Sequence, residues 1–172
     1  MTSTESETEV RPMVLEDLDA IFYIDRHIRS LGKAITYANL TTEQIFTIDR
    51  HVGRLAKPIS YVDLIHGDVS QLLRFGLVAE VDGHVRGFIL GRLAHVGKAP
   101  AEVGEILILG VHQDYERRGI ATALVNALCD KLSSQGIKGV RIEIDQRDKA
   151  LLGFVESIGF SAGHRIDYSK KL

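Results

Sequence analysis

Apolar residues recur in two different rhythms along this chain, and the change of rhythm divides it. Val10 to Val14 reads as a short extended segment. Leu15, Leu18, Ile21, Phe22 and Ile28 then recur near the helical period, and Glu16, Asp17 and Asp19 supply the negative charge that a helix N-terminus favours. From Gly76 the rhythm becomes that of strands. Leu77 to Val81 and His84 to Leu90 flank Asp82-Gly83, a two-residue hairpin signal. Glu102 to Val111 (EVGEILILGV) is nearly continuous in apolar residues, as a central strand covered on both faces would be. Gly119 to Leu132 carries Ile120, Ala123, Leu124, Ala127 and Leu128 on one helical stripe, with Gly136 as the stop. Val140, Ile142 and Ile144 alternate with Arg141, Glu143 and Asp145 and predict a strand. Lys149 to Ile158 predicts a helix ended by Gly159, and Phe160 to Leu172 a closing extended segment.

The helical part contains an internal repeat. Residues 21–40 (IFYIDRHIRSLGKAITYANL) and 45–64 (IFTIDRHVGRLAKPISYVDL) are offset by 24 positions, and 11 of the 20 aligned positions are identical. Two copies fall short of the ~3 that a solenoid needs, so the pattern predicts a tandem helix–loop unit inside an ordinary domain. Each copy carries an Asp-Arg-His triplet. It reads either as a His/Asp site or as a solvated helix face carried along by the duplication.

Composition narrows the class. The chain has 172 residues and a mass of 19.0 kDa, with 45% apolar and 26% charged residues, enough to build one core. Residues 1–9, rich in Ser, Thr and Glu, are expected as a disordered tail, and 10–172 as a single domain. Lys plus Arg number 21 against 23 Asp plus Glu, so the net charge of −2 gives no electrostatic case for nucleic acid. The lone Cys129 excludes an internal disulfide framework and a cysteine-based zinc site. No apolar run approaches the ~18 residues of a membrane span, and no secretory signal opens the sequence. A cytoplasmic protein that binds neither membrane nor metal is the expectation.

The chemistry concentrates in Ile106 to Leu124 (ILILGVHQDYERRGIATAL), where an apolar strand ends at Val111 and a helix opens at Gly119. Free backbone N–H groups at such a junction form an anion site. Gly119 and Ala121 are small enough for a phosphate to approach the backbone, and Arg117 and Arg118 add positive charge. These features fit a pyrophosphate ligand. They also fit an ordinary strand-to-helix turn with solvated arginines. No Lys-Ser/Thr follows the glycine, which disfavours a P-loop nucleotide site.

The segment Val111-His-Gln-Asp-Tyr-Glu-Arg-Arg-Gly-Ile-Ala-Thr-Ala-Leu124 resembles the acetyl-CoA signature of the GCN5-related N-acetyltransferase (GNAT) family, Arg/Gln-x-x-Gly-x-Gly/Ala between a strand and a helix. Downstream, Val140 to Ile144, Asp148 and Phe154 to Phe160 look like that family's fifth strand and following helix. The likeness reaches back through Asp82-Gly83 to Val10-Arg11-Pro12. It implies an α/β (α+β) fold with a central mixed, mostly antiparallel sheet flanked by helices, here with a duplicated N-terminal helix–loop unit. It also implies acetyl-CoA as the acyl donor. By position, Leu109, Gly110 and Val111 match the backbone that binds the acetyl group and pantetheine arm. Arg117, Arg118, Gly119, Ile120, Ala121 and Thr122 match the pyrophosphate loop, and Asp148 an Asn that contacts the cofactor arm.

Three positions depart from the pattern. Glu116 stands where Arg or Gln normally starts the motif. Asp148 replaces the Asn and loses an amide donor. Val155 stands where many members carry the Tyr that protonates the CoA thiolate, leaving Tyr168 as a distant substitute or a rim tyrosine. Attack on the thioester requires a neutral amine, whereas a lysine-like amine is about one part in 10³ neutral at pH 7. Glu105, six residues before Val111 like the base glutamate of the protein-acetylating branch, is the first candidate to take the proton. As a partly buried carboxylate it is expected to be a stronger base than usual. Glu143, placed like a base glutamate of ribosomal-protein acetyltransferases, is the second. His112 reads as an exposed turn histidine and Cys129 as a helix-core cysteine. The implied function is acetyl transfer from acetyl-CoA to a primary amine of a protein or small molecule in a ternary complex. A catalytically inactive acyl-CoA-binding regulatory module is the alternative. The duplicated unit leaves a homodimer open.

Overall fold

The computed structural model describes residues 7–32, 74–95, 102–164, 166 and 168–172. The second repeat copy, the end of the first and residues 1–6 of the expected tail lie outside them. Strand β1 (Thr8–Pro12) is followed by a short 3-10 turn (Leu15–Asp17) and helix α1 (Leu18–Ser30). Then come β2 (Leu77–Val81), β3 (His84–His95) and β4 (Glu102–Val111), a second 3-10 turn (Gln113–Tyr115) and helix α2 (Ile120–Ser134). Strand β5 (Val140–Ile142) and helix α3 (Lys149–Ser157) complete the described elements. The sheet order is β1-β2-β3-β4-β5, antiparallel through β4 and parallel between β4 and β5. This is the mixed, mostly antiparallel sheet expected from the sequence.

Alternation along the strands divides the core into two layers. Val78, Phe88, Leu90 and Ile108 face α1, whose Leu18, Ile21, Ile24 and Ile28 are buried against them. Leu77, Ala79, Ile89 and Ile106 face α2, whose Ile120, Leu124, Val125, Leu128 and Leu132 form the opposing stripe. At roughly 1.5–3 kcal/mol for each fully buried large apolar side chain, these stripes are the main force fixing both helices. Beneath α2 the sheet presents a row of glycines. A Cβ at Gly87 would stand 2.8 Å from Ile120 Cγ2 and one at Gly91 3.1 Å from Leu128, while one at Gly104 would collide with Leu132. The helix therefore rests directly on the backbone.

Sequence and structure differ at several ends. β1 begins at Thr8, inside the expected tail, because Thr8 and Glu9 pair with Val81 and Glu80. β3 continues to His95, held by its ladder to β4. β5 stops at Ile142, short of Ile144, because only Gly104 to Ile106 of β4 pair with it. No strand follows α3 among the described residues, and Ile166 and Tyr168 are exposed. Arg11 clamps the start of the chain, donating to both carboxylate oxygens of Asp17 at 2.8 Å and to Glu80 at 2.7 Å. Burial alone would raise the Asp17 carboxyl; Arg11 and the Val14 N–H outweigh it and hold the group below its ordinary value.

Candidate active site

Strands β4 and β5 part company after Ile106. Leu90 pairs with Ile108 and Gly91 with Ile106, so Leu107 is an extra residue on β4, a β-bulge that bends the strand. β5 ends at Ile142, and β4 runs on to Val111 with nothing paired on that side among the described residues. The N–H of His112 donates to Arg86 O on β3 at 2.7 Å. By alternation, the N–H groups of Val111 and Leu109 face the opening.

A cleft of about 960 Å³ occupies that opening. Leu109, Gly110 and Val111 form one wall, Asp145, Arg147, Asp148, Leu151 and Phe154 the other. Glu116, Arg117 and Gly119 to Thr122 close its end, and Ile28 of α1 reaches it from across the sheet. Gly110 keeps the wall thin: a Cβ there would stand 2.7 Å from the Phe88 ring and 3.5 Å from Ile28 Cδ1. A second cavity, about 640 Å³, lies beside β5 and the far end of α2, lined by Cys129, Ile137, Val140 and Phe160. It has neither a parted strand nor a helix N-terminus. Burial, with the charge of Asp130, pushes the Cys129 thiol up, away from nucleophilic use.

The loop at the end of the cleft is shaped by two left-handed residues, Arg117 (φ 61) and Gly119 (φ 78). Gly119 is the N-cap of α2, and the first helical bond runs from Ala123 N to Gly119 O at 2.9 Å. The N–H groups of Ile120, Ala121 and Thr122 precede that bond and lack a helical acceptor. No acidic residue sits in the first turn. A phosphate reaching this end of the cleft would meet backbone donors, the positive end of a 15-residue helix and Arg117.

Nine of the ten residues assigned from the sequence to cofactor binding therefore line one cleft. Arg118 does not; its guanidinium lies over the Tyr115 ring, 4.8 Å from the centroid. Asp148 lines the cleft while its Oδ1 accepts the Leu151 N–H at 3.0 Å, capping α3. Glu116 lines the cleft from an exposed position on the loop. Val155 is buried under α3, and Tyr168 is 89% exposed.

The two candidate bases are elsewhere. Glu105 is 3% exposed and is the middle of a cross-strand row: Arg92, Glu105 and Arg141 are direct neighbours on β3, β4 and β5. Its Oε2 accepts from Arg92 Nε at 2.7 Å, its Oε1 from Arg141 Nη2 at 3.0 Å and Nε at 3.2 Å. Glu143 is exposed, one residue beyond β5. Neither lines the cleft. Among the described residues no group of three or more His, Cys, Asp or Glu could hold a metal ion.

Several features of the site were not named from the sequence. Ile28 reaches it only through tertiary packing. Asp145 and Arg147 form an ion pair at 2.6 Å on the β5 side, and Arg147 holds the Asp145 carboxyl down to about 2. Tyr115, inside the motif, is braced by Arg86, 4.7 Å over its ring, and by His112 edge-on at 5.8 Å. His112 itself is buried, not exposed in a turn, and stacks on His27 of α1. In the first Asp-Arg-His triplet Asp25 is buried and paired with Arg29 at 3.1 Å, so that face of α1 is not simply solvated.

Known structures share this architecture. Aminoglycoside N-acetyltransferase AAC(6')-Iy in complex with CoA superposes with a TM-score of 0.68 at 14% identity, over 99% of each chain. A ribosomal-protein-alanine N-acetyltransferase from Brucella melitensis biovar Abortus 2308 gives 0.64 at 18% identity, over 96% of this chain and 99% of that one. An acetyltransferase from Trypanosoma brucei gives 0.63 at 20%, over 96% and 100%. Residues 42–160, more than half of the chain, match the profile of the Acetyltransferase (GNAT) family. With its parted β4 and β5 and its glycine-capped helix at the end of the cleft, the chain belongs to the GNAT acetyltransferase family.

Proposed function

We propose that this protein transfers an acetyl group from acetyl-CoA to a primary amine by direct attack within a ternary complex. The observation that carries the reading is the cleft between β4 and β5, which leads to the Arg117–Thr122 loop. The pantetheine arm would run along Leu109 to Val111, accepting bonds from the outward N–H groups of Leu109 and Val111. The pyrophosphate would sit against Gly119 to Thr122 with Arg117 beside it. Asp148 would border the arm. The family membership and the CoA held by the related aminoglycoside acetyltransferase agree with this donor.

In the reaction the amine nitrogen bonds to the thioester carbonyl carbon, the carbon–sulfur bond breaks, and sulfur leaves with the electron pair. A thiol with a pKa near ~8.5 leaves readily without a dedicated acid, so Val155 is compatible with turnover. Of the two carboxylates proposed from the sequence, Glu105 lies buried at the centre of the sheet and outside the cleft, so it would relay a proton that another group has taken from the amine. It would act through water, since both its oxygens are engaged. Glu143 is the second.

The buried Val155, which offers no proton donor where a tyrosine would, favours a second reading. In it the chain is an inactive module that binds acyl-CoA. Two measurements separate the readings. Acetyl-CoA affinity by calorimetry should be lost in Gly119→Glu. Because Gly119 has φ +78 and any side chain there is strained, Ala121→Glu serves as a second variant with ordinary helical geometry. Unchanged affinity in both folded variants overturns the cleft assignment. Free-thiol release with a panel of amines then distinguishes transferase from binding module.

A further inference from the structure

We infer that His27 accepts the proton of the incoming amine, with His112 as the residue that positions its ring. The inference rests on the transferase reading above. Glu116 lies at the loop end of the cleft, and among the described residues the other carboxylates near the cleft already have work. Glu105 is held by two arginines, Asp145 by Arg147, and Asp148 caps α3. The imidazoles are differently placed. His27 is not itself among the lining residues; it immediately precedes Ile28, which lines the cleft over Gly110, and it stacks on His112, which follows the lining Val111. Its ring lies parallel to that of His112, with centroids 5.1 Å apart and planes 14° apart, and parallel to Tyr23 at 6.1 Å.

The two histidines are not equivalent. His112 Nδ1 accepts the Asp114 N–H at 3.3 Å, so its neutral ring carries the proton on Nε2 and offers no lone pair without giving up that contact. No ring nitrogen of His27 has a hydrogen-bond partner among the described residues. His27 is half-buried, which leaves it a route to solvent. His112 is 8% exposed, fixed by the sheet and the loop, and serves as the plate against which His27 lies. The groups facing the pair are Tyr23 on α1, Asp114 with Oδ2 3.9 Å from His112 Nδ1, and Tyr115 edge-on. Beyond Tyr115 stand the guanidinium groups of Arg86 and Arg118.

In this step an ammonium N–H bond breaks and its proton passes to a His27 ring nitrogen. The imidazolium passes that proton to water, and the freed lone pair forms the C–N bond as the C–S bond breaks. The second N–H proton, which the acylated nitrogen must lose, goes to the neutral His27 ring and on to the thiolate, so that one proton in all is released to solvent. Atoms and charge balance without a further reagent.

The test is the pH dependence of kcat/KM for the wild type, His27→Gln and Glu105→Gln, with acetyl-CoA affinity measured in each. Wild-type kcat/KM should fall on the acid side as the accepting ring nitrogen becomes protonated. His27→Gln should lower kcat by ~10²–10⁴ and flatten that limb while acetyl-CoA affinity stays unchanged. Free imidazole should restore part of the activity of His27→Ala. His112→Phe, which keeps a flat ring under His27, should retain the limb, whereas His112→Ala should lower kcat more than it changes KM. A His27→Gln enzyme with wild-type kcat and an intact limb overturns the inference, as does loss of the limb in Glu105→Gln alone. A wild type that binds acetyl-CoA but acetylates no amine overturns the transferase reading together with this inference.

Discussion

Arg92 Nε donates to Glu105 Oε2 at 2.7 Å across the β3–β4 ladder, only two residues before the bulge at Leu107 bends β4 away from β5. With Arg141 on the other side, the pair pins three strands at the point where the sheet is about to open.

Glu105→Gln should therefore cost stability whatever it does to turnover. The amide keeps the shape but not the charge, and it leaves two partly exposed guanidinium groups without their shared partner. A loss on the order of 1–3 kcal/mol is expected in denaturant unfolding, at the lower end because water reaches both arginines. An unchanged midpoint would mean that the row of charges contributes nothing to holding the strands.

Asp148 allows two contributions to be separated. Asp148→Ala removes the cap on Leu151 N–H and should destabilise α3 by ~0.5–2 kcal/mol. Asp148→Asn keeps a capping oxygen and adds an amide donor on the cleft side, so stability should hold while acetyl-CoA binds more tightly. Weaker binding in the Asn variant would place the cofactor arm elsewhere.

Removing Asp25 to Ile48 joins Ile24 directly to Asp49. The spliced helix keeps Asp, Arg and His in register, exchanges Ile28 for Val and replaces Arg29, the partner of Asp25, by Gly. Losing one buried methylene costs ~0.5–1.5 kcal/mol and a helical glycine ~1 kcal/mol. The variant should fold with a lowered melting temperature and bind acetyl-CoA like the parent. Failure to fold would show that the chain between the copies belongs to the core. A parent-like melting temperature would show that Arg29 and Ile28 are dispensable.

Much of this was readable before the structure. The alternation at Leu77 to Val81 and the apolar run at Glu102 to Val111 reflect side-chain burial, which local sequence reports directly. The loop at Arg117 to Thr122 was legible because a left-handed cap and a close approach to backbone demand glycine and small residues. What stayed hidden depends on long-range pairing. Nothing local marks Leu107 as the bulged residue. Arg92 and Arg141, 13 and 36 positions from Glu105, could not be seen to claim both its oxygens. His27 and His112 meet only because α1 crosses the sheet above Gly110. The expectation of an exposed turn histidine failed there because α1 covers the end of β4.

The row of glycines under α2 has a consequence for affinity. Because Gly87, Gly91 and Gly104 let the helix settle onto bare backbone, its height above the sheet is set by contact, and with it the position of the Gly119 cap. The loop donors are thus oriented by the fold itself. The conformational entropy of arranging them is lost on folding and does not have to be lost again when an anion arrives. Anion affinity at a loop this short would then depend on the strands beneath the helix as much as on the loop residues themselves.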